Sequence, residues 1–193
     1  KITSGELVLA IDPFSKDIGL TPPRFKTDIL LKTHDHRDHS NLESIPEGAF
    51  IIGGPGEYEI KEVPITGIES FHDDQNGKER GKNTIYKFEI EDIKLAHLGD
   101  FGEKEIRSET LDELGDIDIL FIPVGGTYTI DAEGADKIAL EGMRGLIERN
   151  PALKLVIEAN PSSLKSAGTS LGELFFLLSE LGFRQADVLF GKM

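Results

Sequence analysis

Apolar residues come in short runs through the first half of the chain and at helical spacing through the second. Leu7 to Ile11 is apolar, follows the Ser4-Gly5 turn and stops at Asp12-Pro13, which predicts a buried strand. Pro22-Pro23 breaks the next stretch. Asp28 to Thr33 then predicts a second strand, with Ile29, Leu30 and Leu31 apolar, running straight into a polar loop over 34–40. Phe50 to Ile52, Tyr58 to Ile60 and Val63 to Ile68 predict short strands separated by Gly, Pro and Lys-Glu turns. Thr84 to Ile90 alternates, with Tyr86, Phe88 and Ile90 on one face and Lys87 and Glu89 on the other. Glu91-Asp92 turns the chain into Ile93 to Leu98, so 84–98 reads as a hairpin.

Beyond residue 110 the period changes. Thr110 and Glu113 have capping-box spacing for a short helix stopped by Gly115. Ile117 to Val124 is a near-continuous apolar strand. A long helix is predicted over about 132–149, because Ala135, Ile138, Ala139, Met143, Leu146 and Ile147 share one face before Asn150-Pro151 ends it. Leu153 to Ile157 predicts another buried strand. Ser170 and Glu173 form a second capping box, followed by Leu171, Leu174, Phe175, Leu178 and Leu181 along one helix. Ala186 to Phe190 predicts a last strand. Hairpins early and alternating strands and helices late predict two sheets covered by outer helices.

Composition narrows the function classes. The 193 residues fit a single domain spanning 1–193, and the balance of 38% hydrophobic and 29% charged residues is that of a folded, soluble chain. Lys and Arg total 21 against 35 Asp and Glu, a net charge of −14. Such a chain repels a phosphate backbone, and no block of Lys or Arg offers a local exception, so nucleic acid is not the expected partner. There are no cysteines, which removes disulfides, thiolate zinc sites and thiol nucleophiles together. No apolar run approaches the ~18 residues of a membrane span. A cytoplasmic soluble domain is expected.

The chemistry concentrates in one loop. Three of the five histidines fall within His34-Asp35-His36-Arg37-Asp38-His39. At the chain's own His and Asp frequencies, H-x-H-x-D-H arises by chance in roughly 1 of 4,000 such sequences. The loop leaves a buried strand, where residues two apart point the same way, so His34 and His36 can grip one ion. Asp38 and His39, where the chain turns, can grip a second, while Asp35 and Arg37 point away. Imidazole with carboxylate suits zinc, manganese or iron, so one or two divalent ions are expected, with zinc foremost.

H-x-H-x-D-H after a strand resembles the metallo-β-lactamase superfamily of metal-dependent hydrolases. Asp12-Pro13 looks like that family's early D-P turn, Phe71-His72-Asp73 like the context of the third ligand of the first metal, and Leu98-Gly99-Asp100 like the G-D element whose Asp bridges both metals. Residues Pro123 to Asp131, followed by Ala135, resemble a signature of the branch that includes ascorbate-6-phosphate lactonase-like Zn-dependent hydrolases. The resemblance covers about residues 7 to 160. It implies an αββα four-layer sandwich of mixed sheets with outer helices, and against that pattern the usual N-terminal strand before Lys1 is expected to be missing here. It also implies hydrolysis of an ester, lactone or phosphoester bond by metal-activated water. His34, His36 and His72 would hold the first ion, and Asp38, His39 and Asp100 the second, with Asp100 shared and Asp38 also catalytic. Tyr128 is a candidate substrate contact. His97 lies inside the strand leading to Asp100 and is expected to pack rather than ligate.

One departure stands out. The branch carries a final His after a late strand, whereas this chain reads Lys154 to Pro161 there and has no His after His97. Asn160 falls near the expected position, and an amide oxygen binds transition metals more weakly than imidazole. The second ion is therefore expected to be held weakly, or with help from Glu158 or water. Gly168-Thr169-Ser170-Leu171-Gly172 matches the nucleophile elbow of serine hydrolases, but it lacks a preceding strand and a following His, so Ser170 reads as a helix cap. Gly53-Gly54-Pro55-Gly56 lacks the Lys-Ser/Thr of a phosphate loop. The competing readings are a nuclease of the same superfamily, a non-catalytic protein holding one ion, and an interaction module in which the His loop is incidental.

Overall fold

The structure is a computed structural model that describes residues 1–15, 21–22, 24–36, 41, 48–124, 142–159 and 170–185. The first sheet has four strands in the order β1 (Ile2–Ser4), β2 (Leu7–Ile11), β3 (Ile29–Leu31) and β4 (Phe50–Ile52). β1 and β2 pair antiparallel, while β2, β3 and β4 run parallel. The second sheet has six strands. It contains β5 (Gly56–Ile60), β6 (Val63–Phe71), β7 (Lys82–Ile90), β8 (Ile93–His97), β9 (Ile119–Val124) and β10 (Lys154–Ala159), in spatial order β10-β9-β8-β7-β6-β5. Helix α1 (Ser108–Leu114) lies in the chain between β8 and β9, α2 (Arg144–Arg149) between β9 and β10, and α3 (Leu171–Glu180) follows β10.

Connection length decides strand direction. β5 to β8 are joined antiparallel, and two of their links are two-residue turns with Ile60 opposite Val63 and Ile90 opposite Ile93. Both central residues of each turn, Lys61-Glu62 and Glu91-Asp92, have positive φ, which matches the twist of the flanking strands. The hairpin expected over 84–98 is therefore present. β8, β9 and β10 are instead parallel, because longer connections containing α1 and α2 carry the chain back between them.

Alternation along the strands builds two cores. Leu9, Ile29, Leu31, Ile52, Val63, Ile65, Tyr86 and Phe88 pack between the sheets. The opposite face of the six-stranded sheet gives Ile68, Ile85, Ala96, Leu98 and Leu120 to a second core, where Leu114, Leu146, Ile147, Leu174 and Leu177 of the helices cover it. Each fully buried Leu or Ile contributes about 1.5–3 kcal/mol. This is the αββα class expected from the sequence, and the described residues supply both sheets and the helical layer on the larger one. The Tyr86 hydroxyl, wholly buried, donates toward the carbonyls of Lys32 (2.9 Å) and Ile52 (3.2 Å), so a side chain of one sheet ties down the strand ends of the other.

Several element boundaries correct the sequence reading. β1 had no strand signal beyond the turn after it, yet it pairs residue for residue with β2. Thr110 does not cap α1. The helix starts at Ser108 with Arg107 at its cap and no capping side chain, and Thr110 is buried inside it. Gly115 does end it, donating its N–H to the Leu111 carbonyl. Ser170 caps α3 as expected, accepting the Glu173 N–H. The buried face of α3 is Leu174 and Leu177, whereas Leu171 and Phe175 are exposed. Of the long helix expected over about 132–149, residues 144–149 are helical and 125–141 lie outside the described residues, as does the strand expected at 186–190.

Candidate metal centre

β6 and β8 are both antiparallel to β7, so they run in the same direction and end on one edge of their sheet. His72 directly follows β6, and Asp100 lies three residues past β8. From the other sheet, β3 ends at Leu31 and leads through Lys32 and Thr33 to His34 and His36. Three strand ends from two sheets therefore meet at one place.

Four side chains converge there. His34, His36, His72 and Asp100 each present a ligand atom, and these atoms all lie within 4.8 Å of one another. The rings stand edge to face, with centroids 4.8 Å apart for His34–His36, 5.3 Å for His34–His72 and 4.8 Å for His36–His72. Asp100 Oδ2 is 3.0 Å from His72 Nε2 and 3.6 Å from His34 Nε2. His34, His72 and Asp100 are buried, and His36 is half-buried. His72 Nδ1 is buried without a hydrogen-bond partner among the described residues. Buried polar atoms are rarely left so unless the site serves an ion or water. Three imidazoles and a carboxylate also form a donor set that fits a first-row divalent cation.

The surroundings orient these groups. Asp12 adopts a positive φ and turns its carboxylate onto Thr33, accepting the backbone N–H at Oδ1 (2.8 Å) and the hydroxyl at Oδ2 (2.7 Å). The same hydroxyl lies 2.8 Å from His34 Nδ1. Glycines let the ligand-bearing turns approach closely. A Cβ on Gly99 would lie 2.3 Å from Asn83 Oδ1 and 2.7 Å from Thr33 Cβ, and one on Gly102 would lie 2.3 Å from the His72 carbonyl. Asp73, next to His72, faces into the following loop. Burial opposes its charge, but the backbone N–H groups of Arg80, Gln75, Gly77 and Glu79 donate to its carboxylate and hold its pKa below the usual range. Asp35 points away from the cluster as expected and pairs with Lys32, whose hydrogen bond and charge lower its pKa.

Residues 1–141 match the family described as the beta-lactamase superfamily domain. The chain belongs to this superfamily. It is 26% identical to a metal-dependent hydrolase of Thermococcus onnurineus over 90% of both chains. It is 27% identical to the metal-dependent hydrolase YtkL of Bacillus subtilis, over 70% of this chain and 73% of that one. A crystal structure from Thermotoga maritima, of a proposed Zn-dependent hydrolase of the metallo-β-lactamase superfamily, superposes with a TM-score of 0.63 at 29% identity, covering 88% of this chain and 75% of that one. A metallo hydrolase from Ignicoccus hospitalis shares the fold at 19% identity, with a TM-score of 0.56 over 86% and 77% of the two chains.

Against the superfamily's ligand pattern, the structure brings together His34, His36, His72 and Asp100. Arg37, Asp38, His39, Tyr128 and Asn160 lie outside the described residues, and Glu158 is described in its backbone alone. His97 is apart from the cluster. Its ring stacks on Phe121 at 5.9 Å, and Nδ1 accepts the Gly99 N–H. The parallel register of β8, β9 and β10 puts Ala159 opposite Val124, on the sheet edge where β8 leads to Asp100. Sequence reasoning missed Thr33, Asn83 and Gly102. Thr33 could have been found from its place directly before the His motif, whereas Asn83 and Gly102 carry no local signal.

Proposed function

We propose that this chain is a metal-dependent hydrolase that cleaves an ester, lactone or phosphoester bond of a small molecule. The convergence of His34, His36, His72 and Asp100 carries this reading. His34, His36 and His72 would hold the first ion, and Asp38, His39 and Asp100 the second, with Asp100 shared between them. When bound, such ions supply Lewis acidity, which lowers the pKa of water to near neutrality and polarises the bond under attack. Asp38 would be the catalytic carboxylate, a group able to accept a proton from water. His36, half-buried beside two buried imidazoles, is where solvent and substrate reach the group. Zinc is the ion that three imidazoles and carboxylates suit best, with manganese and iron as alternatives.

The test is metal analysis of the purified protein together with turnover of a nitrophenyl ester, a simple lactone and a nitrophenyl phosphodiester. Bound divalent ion and turnover that is lost in a chelator and in His36→Ala support the proposal. Turnover indifferent to both sinks it. The absence of any His after His97 favours a second reading, in which one ion is held without catalysis. One ion per chain and no turnover on any of the three substrates would select it. Asn160→His should then raise the stoichiometry toward two.

A further inference from the structure

Asn83 is 1% exposed and stands at the start of β7, away from every ligand-bearing loop in sequence. Its amide is nevertheless engaged with one of those loops on both sides of Gly99. Nδ2 donates to the Leu98 carbonyl at 2.8 Å, and Oδ1 accepts the Asp100 N–H at 3.0 Å. The second Nδ2 hydrogen goes to Ser70 Oγ on β6 at 2.7 Å. Both donors of the amide are used, and the turn 98–100 is held as a neighbouring peptide group would hold it.

The strand ladder explains why a side chain does this work. β7 and β8 pair as far as Tyr86 opposite His97. The same register continued would put Thr84 opposite Gly99 and Asn83 opposite Asp100. Instead, the Thr84 N–H goes to the Thr33 carbonyl of the other sheet, at 2.8 Å. The ladder therefore stops, and Asn83 replaces the missing peptide. Residues 83 and 84 hold both loops that face each other across the cluster: Thr84 holds the residue before His34, and Asn83 holds Asp100. Gly99, with φ +59° and no room for a Cβ against Asn83 Oδ1 and Thr33, fits between them.

We propose that Asn83 is a positioning residue for the metal centre, setting where the Asp100 carboxylate sits relative to His34 and His72. The inference rests on the metal-site reading above. Groups that hold ligands in place are commonly worth about 10- to 100-fold in metal affinity. Asn83→Asp keeps an acceptor for the Asp100 N–H but loses both donors, and it is expected to weaken Co2+ and Zn2+ binding by about that factor. It should also shift the visible absorption of the Co2+-loaded protein, because the carboxylate geometry at the ion changes. Asn83→Ser is the milder variant should Asn83→Asp fold poorly, and the same two changes are expected of it. Ser70→Ala removes the third partner of the amide without touching the 98–100 turn. It should lower the thermal midpoint while leaving Co2+ affinity and spectrum as in the wild type. Wild-type affinity and spectrum in the folded Asn83 variants overturn the positioning role alone. So does a Ser70→Ala loss of affinity equal to theirs, since that would mark a general structural effect. A wild type that takes up no Co2+ overturns the metal reading itself, and this proposal with it.

Discussion

At the scale of single residues, the hydroxyl of Thr33 shows how much depends on one hydrogen. It lies within hydrogen-bond distance of both Asp12 Oδ2 and His34 Nδ1. A hydroxyl has one proton to give, and a carboxylate can only accept. Thr33 therefore donates to Asp12 and accepts from His34 Nδ1–H. That places the imidazole lone pair on Nε2, the nitrogen facing Asp100 at 3.6 Å. Thr33→Val, which keeps the shape and removes the hydroxyl, is expected to lower zinc affinity by about tenfold or more in a competition titration. His97→Ala should cost less than Asp100→Asn, since His97 packs on Phe121 and reaches the Asp100 turn only through the Gly99 N–H, whereas Asp100 is itself a proposed ligand. Equal losses in the three variants would remove the distinction. His34 and His36 were legible in the sequence because histidine is scarce and their spacing was specific, whereas His72 was reached only through the family resemblance. Asn83 and Gly102 were not, since Asn and Gly are common and their roles exist only through partners 17 and 30 positions away in the chain.

At the scale of elements, local signals succeeded where the controlling contact is local. Ser170 caps α3 through residues three apart, accepting the Glu173 N–H, and its hydroxyl also donates to the Glu173 carboxylate at 3.0 Å. Ser170→Ala should cost about 0.5–2 kcal/mol in denaturant unfolding. A cost near zero would mean that α3 is held by Leu174 and Leu177 alone. The same signal failed at Thr110, where α1 begins three residues earlier, nearly a full turn, and packing of Leu114 against the larger sheet fixes its position. β3 has a different kind of anchor. Asp28, just before it, accepts from Lys61 Nζ (2.5 Å) and the Val8 N–H (2.9 Å), and these bonds hold its pKa below the ordinary value against the opposing effect of burial. A depressed carboxylate pKa stabilises the fold above the unfolded pKa of about 3.9, and the effect is lost as pH falls through the lower folded value. In metal-stripped protein, Asp28→Asn should therefore be less stable than the wild type at pH 7, and the gap should narrow below about pH 4. A gap that is constant with pH would show that the hydrogen bonds, not the charge, carry the effect.

At the scale of the whole molecule, the two sheets face each other through an apolar layer and meet a second time at the ligand cluster. Fold class was legible from the period change along the chain. Sheet order was not, because β10-β9-β8-β7-β6-β5 is set by pairings between distant segments that no local pattern encodes. The cluster exists only through that order: His34 and His36 leave the four-stranded sheet, whereas His72 and Asp100 leave the six-stranded one. An ion held by all four would then link the sheets across their shared edge, adding to the Tyr86 hydroxyl and the Thr84–Thr33 bond. Binding to the folded state alone stabilises it by about 2.7 kcal/mol at a free ion concentration 100 times Kd. Unfolding destroys the four-ligand arrangement, so the unfolded chain competes poorly. Stripping the protein with a chelator should lower its thermal midpoint, and adding back Zn2+ should restore it in a concentration-dependent way. His72→Ala should abolish that dependence while the metal-free fold persists, since its other contacts lie in the two cores. A midpoint unchanged by stripping would mean that the sheets are locked by packing alone and that the ion is a passenger on a finished fold.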